Sequence, residues 1–531
     1  MTRGFGYNIS NSMGVIKEFK WVWLILTLAT FALQPIKTGF EKGHHGWVSA
    51  DGLSLFSRAD KEHYFVAVMA EFKTPEGIEY AYFDRYPPFF SPLMNLFLDP
   101  FEDDFNLFIM IARHLMNIIF LLTVIVGFRI LTFFIDNKKR ALGIALLVFS
   151  GSFFIHYKDM PHFDQPAILG NLLIILGICE YKFNNRWKFL LTLALIVPLF
   201  GRGYSSNFLL LTWNIMEFIL NWKSLGSNVF VKVINHIKKK CFWILVASVP
   251  LTAGFLGYNL YIESLVRNVD ITETSIFDSA KRRLGAKKLV SEREKKAQWS
   301  RFIPKQIDRK KDLFSPELLS MFDIGRKKVS ASWEYYLRRL PSELFGILVI
   351  ILFLMSTRKY YKTLTHEKKT IYLTMIFSGF VWLYTMRKLA TYHDYTTLYY
   401  VGLSMMLFTT LSEFKFKNWR TRRILILGCI MMFGSLVANL YKIKPIAAEV
   451  NHQADDFNKI RKVATKELKN PIFYFEGTDP EGGTRFIYGS PFAPSLYTTG
   501  YLVTSYKELA NVIIHWENGR IKIKEIIKEN E

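Results

Sequence analysis

The sequence predicts an all-α polytopic membrane protein with a small external α/β domain at its C-terminal end. Three observations point there. Half of the 531 residues are apolar and 16% are aromatic, yet the formal net charge is +23. The apolar residues gather in runs that shed nearly all charge for the length of a span. The Lys and Arg surplus falls in alternate connections between those runs. A helix crosses the hydrocarbon with about 20 apolar residues, and a chain in lipid must satisfy its backbone polar groups internally. The runs therefore read as helices.

In chain order they are Trp21–Ile36, Phe105–Ile135, Ala141–Ile155, Pro166–Glu180, Phe189–Pro198 and Phe208–Trp222. Phe242–Tyr261, Leu344–Met355, Ile371–Met386, Thr396–Leu411 and Ile424–Tyr441 follow. Together they make roughly eleven transmembrane helices, several of them only about 15 residues long. Lys17 and Lys20 precede the first run, as in a signal peptide. No small-residue cleavage site follows it, so a retained anchor is expected.

Charge orients the chain. Lys138–Arg140, Lys182 to Lys188, Lys223 to Lys240, Arg358 to Lys369 and Lys415 to Arg423 occupy alternate connections. The positive-inside rule puts these in the cytoplasm with the N-terminus. Loops 37–104 and 262–341, and the tail after Tyr441, then lie outside. The basic run Lys281 to Lys311 is compatible with this, because loops longer than about 60 residues escape the rule. A basic surplus spread over membrane connections argues against nucleic acid as a partner. The expected division is a transmembrane region, 1–441, and an external α/β domain, 442–531. In that domain "NPIFYFEG" reads as a strand, "TSYKELANVIIHWENG" as a helix ended by Gly519, and "RIKIKEI" as a strand. Amphipathic helices are expected near Ser315–Ile324 and Ser330–Leu340. Cys179, Cys241 and Cys429 lie in or beside spans, so no disulfide framework is implied.

Polar side chains concentrate at the external helix ends. Asp51 lies in "HHGWVSADGLSL", Asp159 and Asp164 flank His162 in "HYKDMPHFDQ", and Arg202 interrupts "GRGYSSN". Each has a structural alternative. Asp51 could cap a helix beginning at Gly52, and Asp159 and Asp164 could be caps. His44, His45 and His162 more commonly satisfy local hydrogen bonds than hold a metal, since no ligand spacing is diagnostic. Arg202 could snorkel to head groups. Between two apolar runs, "FDRYPPFFSPL" joins Asp84, Arg85 and Tyr86 to two prolines that fix the backbone. Its aromatics suit the interfacial zone.

That stretch resembles the Asp-x-His-Pro-Pro-Leu segment in the first external loop of protein O-mannosyltransferases, with Tyr86 in place of the histidine. Asp51 as the acidic residue opening the loop and Arg113 in "IMIARHLMN" fit the same layout. "FGRGYSSN" resembles a Thr-Lys-Gly turn of that family, with Arg202 at the lysine position. "YHDY", with His393 and Asp394, looks like external-loop motifs of bacterial relatives. The chain is thus similar to the GT-C superfamily of membrane glycosyltransferases, which includes the mannose and aminoarabinose transferases.

The resemblance implies transfer of a sugar from a polyprenyl-phosphate carrier to a lipid, glycan or protein acceptor on the external face. Asp51 would be the base that accepts the hydroxyl proton. Arg202, with Arg338 or Arg339, would stabilise the leaving phosphate. Asp84, Arg85, Tyr86, Asp159, His162, Asp164, His393 and Asp394 are candidates for the acceptor side. One base without a covalent nucleophile implies inversion at the anomeric carbon. No cofactor is specified, and a divalent metal stays open. The layout favours a bacterial inner membrane with the site facing the periplasm. An oligosaccharyl ligase is the neighbouring alternative. A flippase for a lipid-linked sugar would instead bury charges within spans and break helices at the midplane.

Overall fold

In the computed structural model, the described residues are 18–39, 44–59, 67–83, 89–267, 270–274, 277, 340–386, 398–414, 417–476, 502–504, 506–517 and 520–528. Each predicted apolar run overlaps a helix among the described residues. The first is α1 (Lys20–Ala32), followed in the first long loop by α2 (His44–Phe56), the hairpin β1 (Ala67–Thr74) and β2 (Gly77–Phe83), and α3 (Phe90–Leu98). Then come α4 (Phe105–Leu131), α5 (Lys138–Phe149), α6 (Ser152–Tyr157), α7 (Asp164–Asn184), α8 (Trp187–Ile196) and α9 (Ser205–Leu220). After these, α10 (Val229–Ile237) is short and α11 (Lys240–Arg267) long. α12 (Leu340–Thr363), α13 (His366–Thr385), α14 (Val401–Phe414) and α15 (Thr421–Glu467) complete the helical part. Among the described residues four helical segments, against the eleven spans expected, are long and apolar enough to cross a membrane: Phe105–Leu131, Asp164–Asn184, Lys240–Val266 and Thr421–Tyr441. Lys20–Ala32 and Trp187–Leu199 are shorter apolar helices.

The third run departs from expectation. Its helix breaks at Ser150 and Gly151, where Gly151 takes an extended conformation (ψ 145°) before α6 begins. At the basic end of the helices, ion pairs tie the connections together. Lys138 meets Glu18 at 3.4 Å, Arg140 meets Glu413 at 3.0 Å, and Arg129 meets Glu180 at 3.5 Å. Lys182 pairs with Glu217 at the same end.

The opposite end carries the sheet. β3 (Ile472–Glu476), β4 (Leu502–Thr504), β5 (Val512–Glu517) and β6 (Arg520–Ile526) join the hairpin of the first loop in one six-stranded sheet, ordered β2-β1-β4-β3-β5-β6. β1 and β4 run parallel, pairing Phe72 with Val503 and Lys73 with Thr504. The strands read at Ile472 and Arg520 are present, but the helix expected over Thr504–Gly519 is not. A single 3₁₀ turn, Lys507–Leu509, is followed by β5. Val512, Ile513 and Ile514 are all buried. Three consecutive buried apolar residues, two of them β-branched isoleucines beside a valine, suit a central strand covered on both faces. Neighbours on each side then satisfy its backbone.

α15 is continuous for 47 residues, well past the expected end of its span at Tyr441. Its last turns meet the sheet through Asp456, which accepts from Arg520 Nε at 2.8 Å and from the Ile521 amide at 3.2 Å. They also meet the start of α4, where Asn106 Nδ2 donates to Asp455 Oδ1 at 2.5 Å.

Candidate active site at the helix ends

The segment between α6 and α7, Lys158 to Asp164, is where the polar residues converge. It is buried along its whole length, and its carboxylates organise two hydrogen-bonded centres.

Asp164 forms the first. Arg202 Nη1 donates to both of its carboxylate oxygens, at 2.6 and 2.8 Å. His162 Nδ1 lies 2.7 Å from Oδ2, and the Tyr399 hydroxyl donates to Oδ1 at 3.2 Å. Burial pushes His162 below the ordinary histidine range, even though its bond to Asp164 opposes this. The ring is therefore neutral near neutral pH, donating one nitrogen and leaving the other as an acceptor. Local backbone shape puts Arg202 here. Gly201 has φ +55°, and a Cβ on it would stand 2.5 Å from the Phe163 ring. A Cβ on Gly203 would stand 1.9 Å from the Val197 carbonyl oxygen. Gly201 thus lets the Arg202 turn pack against the α6–α7 segment, and Gly203 lets it fold back on Val197.

Asp159 forms the second centre. It accepts from Arg113 Nη1 at 3.2 Å and from Gln34 Nε2 at 2.6 Å. Arg113 Nη2 also donates to the Gly39 carbonyl at 2.6 Å. Lys158 is fully buried and donates to Asn117 Oδ1 at 3.1 Å and to Gln34 Oε1 at 3.4 Å. Burial pushes its ammonium below the ordinary lysine range, Asp159 opposes this, and Arg113 adds to it. This centre clamps the end of α1 to α4 through side chains that hydropathy reading passes over. Arg113 had a signal in the sequence, a lone charge early in an apolar run. Gln34, Asn117 and Lys158 had only their position beside such runs.

Asp51 approaches the same segment from α2. It lies within that helix, which begins at His44, so the alternative of a cap for a helix starting at Gly52 is overturned. Its neighbour Gly52 is packed so closely that a Cβ there would be 1.8 Å from the Pro161 carbonyl oxygen. Asp51 is 8% exposed, and Arg58 is buried at the end of the same helix, donating to Ser54 Oγ at 3.1 Å. Gln165 Oε1 and Ser206 Oγ are buried here without a hydrogen-bond partner among the described residues. Buried polar atoms in that state cost about 1–3 kcal/mol each.

Asp51, Asp159, His162, Asp164 and Arg202 are therefore brought to one end of the molecule. Asp84, Arg85, Tyr86, Arg338, Arg339, His393 and Asp394 lie outside the described residues, as do Ser315–Ile324 and the greater part of Ser330–Leu340. Among the described residues no group of three or more His, Cys, Asp and Glu side chains is arranged to hold a metal.

No protein-family model matches the chain, and no curated protein does. Among solved structures, it is similar to ArnT from Cupriavidus metallidurans bound to undecaprenyl phosphate, at 11% identity and a TM-score of 0.36. That match covers 94% of this chain and 93% of the other. The apo state of the same ArnT matches at 12% identity and a TM-score of 0.37, covering 93% and 86%.

Proposed function

We propose that the chain is a membrane glycosyltransferase of the GT-C type, moving a sugar from a polyprenyl-phosphate carrier to an acceptor at the external helix ends. One observation carries the reading. Of the three residues that the motifs single out, far apart in sequence, Arg113 and Arg202 bind carboxylates of Lys158–Asp164, and Asp51 stands next to a glycine packed on the same segment. Gly52 packs on Pro161, Arg113 binds Asp159, and Arg202 binds Asp164.

In this reading Asp51 takes the proton of the attacking hydroxyl as the new bond forms at the anomeric carbon. The phosphate leaves with the electron pair of the broken bond, and cations at the helix ends stabilise it in a site largely shielded from water. Arg202 already serves Asp164, so a phosphate would share its guanidinium with that carboxylate. Asp164, His162 and Tyr399 thereby act as positioning residues that fix the direction of the arginine. A flippase is less well supported. It calls for ionisable groups at mid-span, whereas the buried charges described here, apart from Arg113 about two turns into α4, sit at helix ends.

Purified protein with a polyprenyl-phosphate sugar donor tests the reading. Asp51→Asn keeps shape and removes the base, and general-base catalysis is worth about 10²–10⁴-fold. Transfer should fall by that order while the melting curve stays put. Near-normal transfer by Asp51→Asn would end the assignment.

A further inference from the structure

At the basic end of the molecule, α10 is built inside out. Its buried positions are Lys232 and His236, one helical turn apart. Lys232 Nζ lies over the Trp222 ring at 4.1 Å, and His236 packs edge-on against Phe218 at 5.2 Å. Val229, Phe230, Val233 and Ile234 point the other way and are exposed, Phe230 by 73%. In water this arrangement would be upside down, since it exposes the apolar stripe and buries the polar one. A short helix with a strong apolar face is stable in this orientation where that face meets hydrocarbon.

Its surroundings specify the depth. Trp187, Trp222 and Trp243 ring the same end, and indoles of this kind sit at head-group level. Trp222 and Trp243 are exposed. Lys240 lies over the Trp187 ring at 5.0 Å, and Lys188 over the same ring at 5.9 Å. Lys223, Lys238, Lys239 and Lys240 bracket the helix on both sides in sequence. Asn228 caps its start by accepting from the Val231 amide at 2.9 Å. Gly226 (φ +140°) makes the turn into it.

We infer that α10 lies in the plane of the membrane, in the leaflet facing the basic connections, and docks anionic phospholipid head groups through Lys238, Lys239 and Lys240. The apolar face supplies the anchorage, and the lysines supply the preference for negative charge. A near-surface basic residue changes binding to anionic lipid by roughly fivefold. The surface is separate from the candidate active site, so it stands or falls independently of the proposed function.

The full-length chain, reconstituted in vesicles of phosphatidylcholine alone or with phosphatidylglycerol, provides the test. Spin labels at Phe230→Cys and Val233→Cys should show high oxygen and low water-soluble-nickel accessibility. A label at Ser227→Cys, in the turn before the helix, should show the reverse. The variant Lys238→Gln/Lys239→Gln/Lys240→Gln should retain at least tenfold less phosphatidylglycerol in native mass spectrometry, with its melting curve unchanged. Nickel-accessible labels at 230 and 233 would place the face in water and overturn the inference. Spin–spin broadening between copies would overturn it in favour of a self-association surface. Equal phosphatidylglycerol retention by the lysine variant would remove the head-group assignment.

Discussion

Arg202 and Asp164 form a buried ion pair, and the proposed function gives the guanidinium a donor phosphate as a second partner. A phosphate-binding role predicts that Arg202→Ala loses most transfer activity. Arg202→Lys should keep part of it, because an ammonium carries the charge without the planar fork. The measurement is donor dependence of transfer, and unchanged donor affinity and turnover in Arg202→Ala would leave only anchorage. His162 gives a pH prediction. Its folded-state value lies below the ordinary 6.5, so on acidification the unfolded chain takes up the proton first. The stability contribution is complete above about 6.5 and is lost as pH falls through the folded value. Melting temperature should therefore decline from pH 6.5 towards 5, and His162→Gln should flatten that decline. The acid groups facing the ring, Asp164 above all, are common to both proteins. Parallel slopes would show that another group is responsible.

At the scale of elements, the packing of α2 on the α6–α7 segment determines whether Asp51 is in place. Glycine inside a helix is ordinarily improved by alanine, by about 1 kcal/mol. At Gly52 the sign should reverse, since the added methyl meets the Pro161 carbonyl and overpacking of this kind costs about 1–3 kcal/mol. Gly52→Ala should lower both the melting temperature and transfer, although no chemical group has been removed. A stabilised, fully active variant would mean that α2 sits elsewhere. Much at this scale was legible in the sequence, because long apolar runs have one solution in lipid. β5 was not. "NVIIHW" carries no periodicity that distinguishes strand from helix, and its partners lie on both sides of it in the sheet. Asp51 was legible as a polar residue near a span end. Its place within a helix was not, because α2 begins at a histidine without a capping signature.

For the whole molecule, the helices put the basic connections among the described residues at one end and the sheet at the other. Tags after Glu531 and in the β1–β2 turn, at Glu76, should report the same side of the membrane, and a tag beside Lys188 the opposite side. Accessibility to a membrane-impermeant reagent in intact cells and in inverted vesicles checks this, and a split result for the first two would contradict the shared sheet. That the first loop and the tail meet was invisible in the sequence. Thr504 Oγ1 donates to the Lys73 carbonyl at 2.8 Å, across 431 positions of chain, and no local pattern encodes so distant a pairing.

The shared sheet also sets an order of events during synthesis. β1 can pair with β2 as soon as the first loop emerges, but its other edge waits for β4. At about 5–20 residues per second, the interval is on the order of 20–90 s. For that time the hairpin presents an unpaired edge, a template for wrong partners, in the loop that also carries Asp51. The candidate site thus belongs to a loop that the last strands of the chain complete. A ribosome that stalls after the final span would release a protein with every membrane helix in place and an open strand beside its proposed base.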